Sequence, residues 1–163
     1  MKKLILVSIW VMVIFSLVYA GDFQYVGVNK CKMCHKGEKK GMVFEKWEKS
    51  MHAKALDTLK AKGEDKNPKC LECHVTGFNE GCYKVGAANA ADFAGVQCES
   101  CHGPGSEYKS MSVMKDKKLA MTKGLIVPNE AVCKKCHNPK SPTFKGFNFK
   151  EYAAKIDHTY TKK

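Results

Sequence analysis

The chain contains no arginine. All 28 of its strongly basic residues are lysines, set against 16 aspartates and glutamates, for a formal charge of +12. No nucleic-acid partner is expected. The excess charge suits an acidic protein partner or surface instead. At 163 residues there is room for one domain and none for a large multidomain enzyme. Long apolar runs are also scarce: the single example covers residues 4–18 and is broken only by Ser8 and Ser16. Histidine is rare, with six in the whole chain. No nucleophile, base and proton donor converge on one segment, so the sequence does not read as an enzyme.

The apolar run has the form of an export signal. Lys2 and Lys3 precede it, and Val18-Tyr19-Ala20 ends it near the A-x-A cleavage pattern. The expectation is a signal peptide over 1–20 and a mature domain over 21–163, without stable membrane insertion after cleavage and located in the periplasm. Loss of Lys2 and Lys3 lowers the formal charge from +12 to +10. The alternative is a retained membrane anchor. No cysteine follows the run closely, which argues against a lipoprotein anchor. Export places the nine cysteines in an oxidising compartment.

Eight of those cysteines fall into four copies of one pattern, C-x-x-C-H. The copies are Cys31, Cys34 and His35; Cys70, Cys73 and His74; Cys98, Cys101 and His102; Cys133, Cys136 and His137. This is the attachment signal for c-type haem. Thiols three positions apart lie one helical turn apart and reach the two vinyl groups on one edge of a porphyrin. The following imidazole then serves as the proximal iron ligand. A zinc ribbon and disulfides are the alternatives, but neither requires a histidine after every pair. With histidine at about 4% of residues, four coincidences have odds on the order of one in a million. The expected cofactors are four covalently attached c-type haems.

Two histidines remain, His52 and His158, and both are read as distal haem-iron ligands. Two cannot complete four irons. The others require Met, Lys, Tyr, a ligand from a partner, or an open position. Met111, Met114 and Met121 follow the third motif at a spacing that also suits packing. Cys82 is the cysteine left over. It reads as a small loop residue, with a free thiol, a redox site, an iron ligand and an intermolecular bridge as alternatives. Lys30, Lys32, Lys36, Lys39 and Lys40 surround the first motif, and Lys134, Lys135 and Lys140 the fourth. They have two readings: a docking rim for an acidic redox partner, or compensation of the haem propionates.

The fold class expected is mainly α with much irregular loop, a compact multihaem cytochrome c organised around its haems. Val43, Phe44, Trp47, Met51, Ala55 and Leu59 recur at helical steps and predict one helix over 42–62, with His52 on it. A weaker helix is expected over 110–123, a helix start at 128–130, and a short final helix over 149–156. Gly103-Pro104-Gly105 predicts a turn after the third motif.

The order of these pieces resembles the tetrahaem cytochrome c-554 family of periplasmic electron carriers. The resemblance rests on YVGVNKCKMCH from Tyr25, FEKWEKSMHAKAL from Phe44, CLECHVTGF from Cys70, GVQCESCHGPGSEY from Gly95 and CKKCHNPKSPTF from Cys133. It implies a mostly helical fold with stacked haem pairs, and electron transfer from a periplasmic oxidoreductase to a downstream carrier. In the type member that donor is hydroxylamine oxidoreductase, which the shortness of this chain argues against carrying over. The resemblance matches His52 and His158 to distal ligands. Family members often carry a further capping histidine just after C-H-G-P-G-x-x, where this sequence has Tyr108. The expected function is electron transfer between redox proteins. The alternatives are a small haem reductase, for example of nitric oxide, using an open iron, and an electron-transfer subunit of a larger complex.

Overall fold

The computed structural model describes residues 23–159. The signal-peptide and membrane-anchor readings of residues 1–20 lie outside them. Among the described residues no helix is long and apolar enough to cross a membrane.

Among the described residues, nine short α-helices are joined by turns. They are α1 (Val28–His35), α2 (Val43–Glu48), α3 (Ala55–Lys60), α4 (Pro68–His74), α5 (Cys98–His102), α6 (Met111–Met114), α7 (Lys117–Thr122), α8 (Glu130–Lys134) and α9 (Phe149–Ile156). No strand forms among the described residues; a single antiparallel bridge pairs Val75 with Ala94. The fold is mainly helical with irregular loops, as the composition predicts. Helix starts are set by side-chain caps: Asn67 on α4, Ser110 on α6, Asp116 on α7, Asn129 on α8 and Asn148 on α9 each accept a backbone N–H of the first turn.

The single helix expected over 42–62 is two helices, α2 and α3, and His52 sits in the turn between them. The cause is a close backbone approach. Gly95 lies against this turn, and a Cβ there would meet the Ala53 carbonyl oxygen at 2.5 Å. The turn is held by Val96 N–H donating to the His52 carbonyl (2.9 Å) and by the Trp47 indole N–H donating to the Val96 carbonyl (2.8 Å). Helix periodicity records which side chains face inward. It does not record a second chain segment wedged into the ladder. The weaker helix over 110–123 is likewise broken, into α6 and α7, because Asp116 caps a new start. The final helix over 149–156 forms as predicted.

The main apolar cluster is small: Leu56, Leu59, Leu71, Val75, Tyr83 and Phe93. It fastens α3 to α4 and to the loop that follows. Cys82 packs against its edge with Tyr25 and Phe78. Burial pushes the Cys82 thiol up from its usual range. α6, α8 and α9 bury no residue in the protein core, while Met33, Leu119, Ile126 and Val127 stay exposed. A chain with so little apolar interior of its own must draw the rest from bound apolar groups.

Candidate haem-binding sites

Each C-x-x-C-H motif sits on a helix or a helical turn. The first three end α1, α4 and α5 at the histidine. The fourth starts in α8 and is completed by an i to i+4 bond from His137 N–H to the Cys133 carbonyl, 2.9 Å. The two thiols of each pair are therefore one turn apart, with the imidazole one residue beyond.

The helices are brought together by a buried polar clamp. Glu99 and Gln97, 1% and 3% exposed, hold the start of α1. Both Glu99 oxygens accept the Val26 N–H (2.9 and 3.1 Å). Oε2 also accepts from Gly27 (2.8 Å), and Oε1 from Gly105 (2.6 Å). The Val28 N–H donates to Gln97 Oε1 at 2.8 Å. Thr76, fully buried just after the second motif, donates to the Gly95 carbonyl and accepts from the Gln97 N–H, both at 2.9 Å. These residues lie between the motif positions, and nothing in residue type or spacing marks them. Only the tertiary structure shows that they register the first, second and third motifs.

As a result the Cys31 and Cys98 thiols are neighbours and shift one another, Cys31 upward and Cys98 downward. Cys73 and Cys136 are neighbours in the same way, the first shifted down and the second up. Burial pushes the Cys101 thiol up to about 11, with the nearby Cys133 thiol adding to the effect. The first motif thus adjoins the third, the second adjoins the fourth, and the third and fourth meet.

Four of the six histidines fall into two pairs. The His52 and His137 rings are 6.0 Å apart between centroids, and the His102 and His158 rings 5.9 Å apart, both edge-on. Two imidazoles that share one metal at about 2.0 Å from each nitrogen have ring centres roughly 6 Å apart. Burial lowers His35, His52, His102 and His137 from the usual imidazole range, keeping them neutral with a lone pair to donate. Backbone carbonyls fix three tautomers. A carbonyl accepts only, so Nδ1 carries the proton in His74 (to Ala55, 2.8 Å), His102 (to Ile126, 3.2 Å) and His158 (to Ile156, 2.9 Å). Nε2 is left as the ligating atom in each. His137 is packed by Phe147, stacked at 5.0 Å, and by Tyr152 of α9 at 5.5 Å. A cleft of about 200 Å³ opens beside it, lined by Cys136, His137, Thr143, Phe144 and Tyr152 among others.

Tyr108 is buried, and its hydroxyl donates to the Gly103 carbonyl at 2.6 Å. Burial also raises its phenol, so it is packed and hydrogen-bonded rather than presented as a phenolate. Met111 and Met121 are 66% and 50% exposed. Among the described residues no three His, Cys, Asp or Glu side chains converge as a metal cluster. The donor set instead fits haem: paired thiols on a helical turn, a neutral imidazole next to them, and two imidazole pairs at metal-sharing distance.

Comparison with known proteins agrees. Residues 30–103 match the family described as cytochrome c554 and c-prime. Cytochrome c-554 of Nitrosomonas europaea is 30% identical over 173 residues, covering 87% of this chain and 71% of that protein. The reduced-state structure of cytochrome c554 from the same organism superposes with a TM-score of 0.57 at 27% identity, covering 83% of this chain and 79% of that one. A multihaem electron-transfer protein with four covalently bound c-type haems is what the motifs, the ring pairs and these likenesses have in common, and the chain belongs to the cytochrome c554 family.

Proposed function

We propose that this protein is a periplasmic carrier that passes electrons between a periplasmic oxidoreductase and a second redox protein. In this reading His35, His74, His102 and His137 are the proximal ligands, His158 is distal at the third-motif iron and His52 at the fourth. The observation that carries it is the pair of imidazole couples at 5.9 and 6.0 Å. Each haem supplies a one-electron ferric/ferrous couple; it carries no substrate chemistry of its own here. The chain's part is to hold the attachment sites in sequence. The Cys31–Cys98 and Cys73–Cys136 contacts and the nearness of Cys101 to Cys133 support a row running first, third, fourth, second. The exposed lysines around the first and fourth motifs suit acidic docking partners.

A second reading is a small-ligand reductase, for instance of nitric oxide. It is favoured by the histidine count: with two imidazole couples formed, His35 and His74 have no imidazole left to face them, and the Tyr108 hydroxyl is engaged elsewhere.

Both readings are tested by carbon monoxide titration of the dithionite-reduced holoprotein. Two molecules bound per chain are expected, one at each unpaired iron. Three or four would sink the His52 and His158 pairings, and none would sink the open-iron reading. Catalytic consumption of nitric oxide by the reduced protein would favour the reductase over the carrier.

A further inference from the structure

The two imidazole couples are not equivalent. In the third-motif couple both rings donate Nδ1–H to a backbone carbonyl, His102 to Ile126 at 3.2 Å and His158 to Ile156 at 2.9 Å. In the fourth-motif couple neither ring has such a partner among the described residues; His137 is packed by the Phe147 and Tyr152 rings instead. An imidazole that gives its N–H to a carbonyl is the more basic ligand and stabilises the more highly charged metal. The Glu99 carboxylate adds to this. It lies inside the third motif, next to Cys98 and 1% exposed, and each of its oxygens accepts two N–H contacts. That saturation by donors fits an ionised carboxylate. A fixed negative charge beside a redox centre, away from water, disfavours adding an electron there. The fourth motif's two intervening residues are Lys134 and Lys135, and the carboxylate that acts on Cys133, Glu130, is exposed and paired with Lys134 at 2.7 Å.

We infer that Glu99, with the two carbonyl-bound imidazoles, makes the third-motif haem the most reducing of the two interior stations, and that Glu99 serves as its potential-setting residue. The inference rests on the ligand pairing given above. Its consequence is directional: in the row first, third, fourth, second, the third station is a step an electron crosses and does not rest on. Glu99 also fastens α1 to α5, so its structural and electrostatic roles have to be separated by a readout that packing does not move.

The experiment is a potentiometric titration of the folded tetrahaem protein, with the haems told apart by variants. His52→Met and His158→Met should each raise one potential and change one low-spin signal, which labels the fourth and third haems. The potential labelled by His158→Met is expected to be the lower of the two. In Glu99→Gln that potential should shift upward while the His52-labelled one stays within error. If both labels work and the fourth haem is the lower, the pairing stands and the inference is overturned. If neither substitution marks a potential, the pairing has failed and the inference falls with it. Should Glu99→Gln not fold, the order of the two potentials in the unsubstituted protein decides. A folded Glu99→Gln protein with unchanged potentials removes the role assigned to Glu99.

Discussion

Tyr108 shows how a single side chain is decided by its hydrogen bond. Its ring is buried close to Glu99, and its hydroxyl reaches the Gly103 carbonyl at the turn after the third motif. Replacing it with Phe leaves that carbonyl without its donor. Such a loss costs about 1–2 kcal/mol. Tyr108→Phe is therefore expected to lower the unfolding midpoint while the spin state of every haem stays the same. A change in the high-spin signal would mean that the phenol touches an iron after all. The residue was visible in the sequence only as an ambiguity, a tyrosine where family members often carry a histidine. Its commitment to a carbonyl five residues back depends on the left-handed backbone at Gly103.

At the level of elements, the break between α2 and α3 matters most, because it is what carries His52. An unbroken helix would project His52 from a regular face. The turn instead places its backbone carbonyl under Val96 and its ring opposite His137. Gly95 makes this possible with φ +77° and no side chain against the Ala53 and His52 carbonyls. Gly95→Ala is expected to cost about 1–3 kcal/mol through the strained backbone alone, with the clash in addition. Denaturant unfolding should show a lower midpoint, and, on the proposed pairing of His52 with the fourth iron, reduced protein should bind more carbon monoxide. Unchanged stability would mean that the two segments are free to separate. Helix existence was legible here from the spacing of Phe44, Trp47, Ala55 and Leu59; helix continuity was not, since it depends on a segment some forty residues away. α9 was read correctly because everything that defines it is local: the Asn148 cap and a stripe of Tyr152 and Ile156.

Across the whole molecule, charge and burial pull in different directions. The formal charge of +12 meets two propionates from each of four haems, so the assembled protein is closer to neutral than its sequence suggests. A sensitivity to alkali is expected from the half-buried phenol of Tyr25. Burial is the largest cause pushing Tyr25 up to about 12, with the charges of Glu80 and Glu99 adding to it. The folded chain then holds a proton that the unfolded chain releases near pH 10. This contribution to stability is complete below about pH 10 and is lost as pH rises toward 12. Urea midpoints measured from pH 9 to 12 should fall over that window, and Tyr25→Phe should flatten part of the fall. An equal slope in the variant would assign the loss to other groups.

The sequence by itself determined the chemistry: four C-x-x-C-H motifs, their haems, the shortage of histidines and the mainly helical, loop-rich class. Covalent attachment needs only residues adjacent in the chain, so local spacing is sufficient to announce it. Which motifs stand beside one another, which imidazole ring each spare histidine faces, and the burial of Glu99 were decided only by the tertiary structure. Those depend on contacts between segments tens of residues apart, closed by backbone donors and glycines whose partners no local pattern names.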